Sequence, residues 1–224
     1  MSTKQPNLPG TIAVIFPSET AQYSRFSEDL HSLDTPDGTV MDFAYGTDVA
    51  ELRNQLTRKA LERDSYWIWF ITENHSFEAN TIEKLLSRNE SIVSPIVLTK
   101  EAPFTPESFV GLAAGGEYVP LQLNEVTGPG TMIEVRAATL TGMLIRSAVL
   151  KEVRDPWFKS TDGNDYSYFC ERVREAGFQP YVDTAVRIGN RLTGDMKVIH
   201  RGGKWELAVG VGNDIEMTVR LKHR

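Results

Sequence analysis

"YWIWFITENHSF", Tyr66 to Phe77, decides how the rest of the chain is read. Its first six residues are an unbroken aromatic and β-branched run, the composition of a strand buried inside a sheet. Thr72, Glu73 and Asn74 follow at once, where such a strand delivers polar side chains to a site. Upstream, "TIAVIF" (Thr11 to Phe16) is a second apolar run closed by Pro17, and Glu19 to Leu33 carries helical spacing at Ala21, Phe26 and Leu30. "DTPDG" is turn chemistry and "TVMDFAY" reads as a strand. Thr47 then caps a helix from Asp48 to about Arg63, with Val49, Leu52, Leu56 and Ala60 on its apolar face. Downstream come a helix near Glu78 to Arg88 and the strand "SIVSPIVL". Successive βα units predict an α/β fold, a mostly parallel helix-covered sheet whose strand C-termini share one edge, where such sheets bind ligands.

The chain has 224 residues, enough to bury a core without staples. With 41% hydrophobic and 24% charged residues and no apolar run near the ~20 residues of a membrane span, it reads as globular. Met1 to Gly10 is polar with two prolines and no apolar stretch, so a loose tail and a cytoplasmic setting are expected. The single cysteine, Cys170, excludes an internal disulfide and falls at helical spacing as a packed thiol. A net charge of -6 argues against nonspecific nucleic-acid binding, and the basic end "TVRLKHR" reads as solvated.

After Leu98 the texture changes. "TKEAPFTPE" is a proline-punctuated loop and "GLAAGGEYVPLQLNEVTGPG" a Gly-rich connection with a short strand. Met132 to Leu140 reads as a strand, "GMLIRSAVLKEV" turns into a helix, "RDPWF" breaks it, and Tyr166 to Ala176 forms another helix ending at Gly177. "FQPYVDTAVRIGN" adds a strand, and from Lys204 a hairpin turns on Gly212-Asn213-Asp214. The expected organisation is a tail over 1–10, one domain over 11–203 and a C-terminal hairpin over 204–224 packed on it. No Gly-rich phosphate loop follows the first strand.

Taken in order, "RNQLTRKAL", "YWIWFITENHSFEANTIEKLL", "SIVSPIVL", "ATLTGMLIRSAVLKEVRDPWF" and "GNDYSYFCERVREAGFQPYVDTAVRIGN" resemble a small single-domain GT-A-type glycosyltransferase of the kind found in bacteria and bacteriophages. The resemblance covers roughly Thr11 to Asn190. In that family the third strand ends in an acidic cluster, a later turn leads into "G-x-L-I-R", and a "G-E-D" helix start precedes a "D-T-x-x-x-I-G-H" strand. The resemblance implies a Rossmann-like sheet of nucleotide-diphospho-sugar transferase type with a smaller antiparallel part near the C-terminus, and a cytoplasmic protein, in the host cytoplasm if phage-encoded. It also implies a nucleotide-sugar donor and a protein, glycan or modified-base acceptor.

Carried over residue by residue, the resemblance places the donor base at Pro17, Ser18 and Glu19 and the diphosphate near the Arg53-Asn54 pair. Gly142 and Met143 line the acceptor side, and Asp183 matches a further family acid. Family members hold manganese or magnesium on an acidic triplet and a His, the cation neutralising the leaving diphosphate. Here those positions are Thr72, Glu73, Asn74 and Asn190, a degenerate D-x-D motif in which only Glu73 keeps its charge. Neutral groups do little to offset dehydration of the cation, so metal dependence is expected to be weak or absent. The family's catalytic acidic pair is Asn164-Asp165 here, and Asp165 reads equally as general base or as a helix-start residue favoured by the macrodipole. His75, Arg53, Gly142, Trp157 and Phe158 each keep a purely structural reading beside the functional one. Two functions follow: an active transferase, or an inactive relative that retains a binding or structural role.

Overall fold

The computed structural model describes residues 8–17, 24–99, 104–126, 128–160, 166–191, 194–211 and 215–220. The chain opens with β1 (Thr11–Phe16), α1 (Ser24–His31), β2 (Val40–Tyr45), α2 (Val49–Glu62) and β3 (Trp67–Thr72). A short β4 (His75–Ser76), α3 (Thr81–Ser87) and β5 (Ile92–Ile96) complete the third unit. The cap of α2 is Asp48 rather than Thr47, because the Asp48 carboxylate reaches the Glu51 N–H at 3.1 Å and so satisfies a donor of the first turn. The second half runs through β6 (Ser108–Leu112), β7 (Tyr118–Pro120), β8 (Met132–Glu134), β9 (Ala137–Ala138), β10 (Leu144–Arg146), α4 (Ser147–Val153) and α5 (Tyr166–Glu175). It ends in β11 (Tyr181–Arg187), β12 (Gly189–Arg191), β13 (Gly194–Arg201), β14 (Lys204–Val211) and β15 (Ile215–Arg220).

The central sheet has the order β2-β1-β3-β10-β5-β11-β8. β1 pairs in parallel with β2 and β3, and β5 with β11, whereas β10 and β8 run against their neighbours. Most strands therefore point one way. β3 is buried on both faces, as its unbroken apolar run requires. Trp67, Trp69 and Ile71 join Phe26 and Leu30 of α1 and Ile82 and Leu85 of α3 in one core, and Ile68 and Phe70 join Leu52 and Leu56 of α2 and Val149 and Leu150 of α4 in the other. Each such side chain contributes about 1.5–3 kcal/mol through burial. This is the expected α/β architecture of a mostly parallel, helix-covered sheet, with β4 and β12 to β15 forming an antiparallel sheet toward the C-terminus in the order β15-β14-β13-β12-β4.

Several expectations change. The strand expected from Met132 to Leu140 divides, β8 pairing with β11 and β9 with β6 in a small antiparallel sheet. "LIR", read as the start of a helix, is β10: Leu144 and Ile145 are wholly buried between β3 and β5, and helix starts only at Ser147. The turn expected at Gly212-Asn213-Asp214 lies outside the described residues, although β14 and β15 pair antiparallel up to Val211 and Ile215. A further hairpin joins β13 to β14 through Gly202 and Gly203 at φ 57° and 76°, the backbone that a two-residue Gly-Gly turn favours. Among the described residues no helix is long and apolar enough to cross a membrane.

Cys170 is wholly buried on α5, with its Sγ 3.8 Å from the Ala138 carbonyl, and desolvation pushes its thiol pKa up to about 12. Ellman's reagent at pH 8 is expected to leave it untouched in the folded protein and to titrate it fully in guanidinium. Rapid modification of the native thiol would contradict its placement in the core.

A candidate ligand site at the end of the third strand

The registers Phe16 to Tyr45 and Ile15 to Thr72 bring the ends of β2, β1 and β3 side by side on one edge of the sheet. There Tyr45, 60% exposed, lies flat against Phe16, the rings 4.8 Å apart and 8° from parallel. Pro17 follows, half-buried, while Ser18 and Glu19 lie outside the described residues. α2 starts from the same edge, and Arg53 and Asn54 sit within it, both buried. Burial lowers the pKa of the Arg53 guanidinium to about 9, so it is a desolvated cation rather than a solvated helix residue. Asn54 holds the α4–α5 connection in place. Its amide nitrogen donates to the Phe158 carbonyl at 2.9 Å, and its oxygen accepts the Trp157 and Phe158 N–H groups at 3.1 Å each. Trp157 and Phe158 are accordingly core residues.

The chain reverses after β3. Thr72 donates its hydroxyl proton to the Asn74 side-chain oxygen at 2.5 Å, and the Thr72 hydroxyl oxygen itself lies 2.6 Å from His75 Nδ1. A hydroxyl has one proton, so His75 donates from Nδ1, which also lies 3.3 Å from the Thr72 carbonyl. Thr72, Glu73 and His75 are all buried in this turn. β12 locks it from the far side of the sequence. Asn190 stands opposite His75 in the ladder and donates to the Leu98 carbonyl at 2.6 Å. Arg191 donates from its backbone N–H to the Asn74 carbonyl at 2.6 Å and from Nε to the His75 carbonyl at 2.9 Å, and its guanidinium pairs with Asp29 of α1.

The structure thus brings Thr72, Glu73, Asn74 and Asn190 together, and adds His75 and Arg191. The donor set does not fit a resident divalent cation. Glu73 is the one carboxylate of the turn, the Thr72 and Asn74 oxygens are bonded to each other, and among the described residues no three His, Cys, Asp or Glu side chains gather to hold a metal. Arg191 lay in plain view beside Asn190, but its contacts reach Asp29, 162 residues away, which no local pattern encodes.

The remaining predicted residues lie elsewhere or outside. Asp183 is fully buried on β11, bound through both oxygens to Arg88 at 2.7 and 3.0 Å and accepting the Ala185 N–H, which gives it a structural role. Gly142 adopts φ 70°, and a Cβ there would meet Ile188 at 2.1 Å and Pro95 at 2.7 Å, so glycine is imposed by packing. Asp165 lies outside the described residues.

Thr72→Val is expected to lower stability by about 1–2 kcal/mol in urea unfolding and to displace the His75 ring resonances, with Thr72→Ser close to wild type. Unchanged His75 resonances in Thr72→Val would show that the hydroxyl does not hold the ring. Gly142→Ala combines a positive φ with overpacking and is expected to cost about 2–4 kcal/mol.

No protein-family model matches the sequence, and no curated protein is significantly similar to it. Among solved structures, A197 from STIV is similar to this chain with a TM-score of 0.63 at 14% identity, over 96% of this chain and 98% of that one. The fold is therefore shared along nearly the whole length of both. S. aureus TarS 1-349, in a structure with UDP-GlcNAc, gives a TM-score of 0.48 at 11% identity, covering 78% of this chain and 55% of TarS. A second structure of the same fragment gives 0.45 at 9% identity, with 57% of TarS covered. The chain spans little more than half the length of the TarS fragment.

Proposed function

We propose that this protein is a glycosyltransferase that moves a sugar from a nucleotide-sugar to a protein, glycan or modified-base acceptor, with weak or no dependence on a divalent metal. The observation that carries this reading is the Tyr45–Phe16 stack beside the Thr72–His75 turn, at the common end of parallel strands. An exposed aromatic face at that edge takes a nucleobase, and such stacking contributes about 1–3 kcal/mol. Pro17, with Ser18 and Glu19 in the segment that follows, borders the base. Arg53, buried close behind the edge, supplies positive charge toward the diphosphate where family members use a cation. Asp165, which precedes α5 in the sequence, is the base that removes the acceptor hydroxyl proton as the oxygen attacks the anomeric carbon and the nucleoside diphosphate departs. Gly142 borders the acceptor side.

A second reading, binding without transfer, draws on the turn itself: Thr72, Asn74 and His75 satisfy one another. Calorimetry with UDP-, GDP-, CMP- and dTDP-sugars, in EDTA and in manganese, separates the two when paired with an assay for released nucleotide. One donor class is expected to bind in EDTA, to change little with manganese and to release nucleotide slowly. Tyr45→Ala should weaken it about tenfold or more, the loss of one stacking face. Asp165→Asn should abolish release while donor affinity persists. Binding with no released nucleotide would favour the second reading; absence of binding for every donor would overturn both. The triple variant Thr72→Asp, Asn74→Asp, Asn190→His is expected to gain manganese binding, and failure to do so would refute the assignment of this turn as the family's metal position.

A further inference from the structure

Across the ribbon formed by β4, β12 and β13 lies a cavity of about 300 Å³, lined by Arg25 and Asp29 of α1. Side chains alternate along a strand, so His75, Asn190 and Met196, which oppose one another in the ladder, share one buried face. Ser76, Gly189, Arg191 and Lys197 face the other way and line the cavity. Gly189 forms its floor because a Cβ there would strike Ser76 Oγ at 2.6 Å and the Met196 carbonyl at 2.7 Å.

Four cations, Arg25, Arg187, Arg191 and Lys197, line this cavity against two carboxylates, Asp29 and Glu78. That is a local excess of two positive charges in a chain whose net charge is -6. The carboxylates are already engaged. Asp29 pairs with Arg191, and Glu78 takes the Lys84 ammonium at 2.5 Å, which lowers its pKa, with Arg187 and Lys197 adding to the effect. Arg187 forms a long ion pair with Glu78 at 3.8 Å, beyond hydrogen-bonding distance. Among the described residues Arg25 and Lys197 form no salt bridge. Cations gathered in a concave wall, with their own carboxylates tied back, focus a positive field into the cavity.

We propose that this cavity is a binding site for a phosphomonoester of about the size of a sugar. Charge selects the dianion, and the forked guanidinium of Arg187 matches phosphate geometry. Size sets the rest of the ligand: 300 Å³ is roughly ten times the space one water occupies in the liquid, several times what a phosphate group fills, and at the lower end of small-molecule pockets. Phe77 and Ile199 provide an apolar wall against which the carbon skeleton lies. The cavity lies on the opposite face of the ribbon from His75 and Asn190 and shares only Arg191 with the turn after β3, and the proposal does not depend on the donor assignment.

The test is an amide NMR titration of the full chain with inorganic phosphate and with glucose 1-phosphate, against sodium chloride at matched ionic strength. Both phosphates are expected to shift the Ser76, Gly189 and Lys197 amides, with glucose 1-phosphate the tighter. The double variant Arg25→Gln, Lys197→Gln, which breaks no salt bridge among the described residues, should bind about tenfold more weakly at a melting temperature close to wild type. Tighter binding of inorganic phosphate than of glucose 1-phosphate would overturn the sugar-sized assignment. Shifts equal to those in chloride, or unaltered affinity in the double variant, would overturn the site. UDP-sugar affinity in the same variant is expected to stay at its wild-type value, and its loss would show that cavity and donor edge are one site.

Discussion

A strand buried on both faces must release its chain where backbone polar groups can be satisfied, and in this protein that place is Thr72. Everything near the candidate site follows from how the reversal is closed. Thr72, Asn74 and His75 bond among themselves, and Arg191 supplies the donors that the Asn74 and His75 carbonyls need. Because Arg191 comes from β12 and reaches Asp29 of α1, the same residue fastens the antiparallel sheet and the first helix to the end of the central sheet. Removing its side chain would take a donor from the buried His75 carbonyl and the cation from the half-buried Asp29 carboxylate, loosening both ends of that link.

How far the sequence was legible depended on the range of the interaction. β1, β2, β3 and α2 were readable because their signals are periodic and local, and the mostly parallel, helix-covered sheet follows from that alternation. The boundaries that failed did so where tertiary pairing overrode local preference. "LIR" has the apolar character of a buried helix start, yet the gap between β3 and β5 demands a strand. Met132 to Leu140 looks continuous, yet its ends belong to different sheets.

Near the end of β3, the resemblance singles out positions 72, 73, 74 and 190, and the structure brings them close together. Their bonding could not be named, since Asn190 answers to Leu98, 92 residues away, and Asp183 to Arg88, 95 residues away. Tyr45 was visible only as a strand residue; its exposure and its stack on Phe16 require the register of β1 on β2. The cations of the cavity behind the ribbon come from α1, β11, β12 and β13, elements that share no motif.

The ribbon of β4, β12 and β13 has one further consequence. Because its side chains point alternately to two unlike environments, a substitution on one face changes a single chemistry and leaves the other untouched. Gly189 is the exception, for the strands close over it and any side chain there would push both walls apart at once. The ribbon is thus tolerant in what it displays and intolerant in how thick it is.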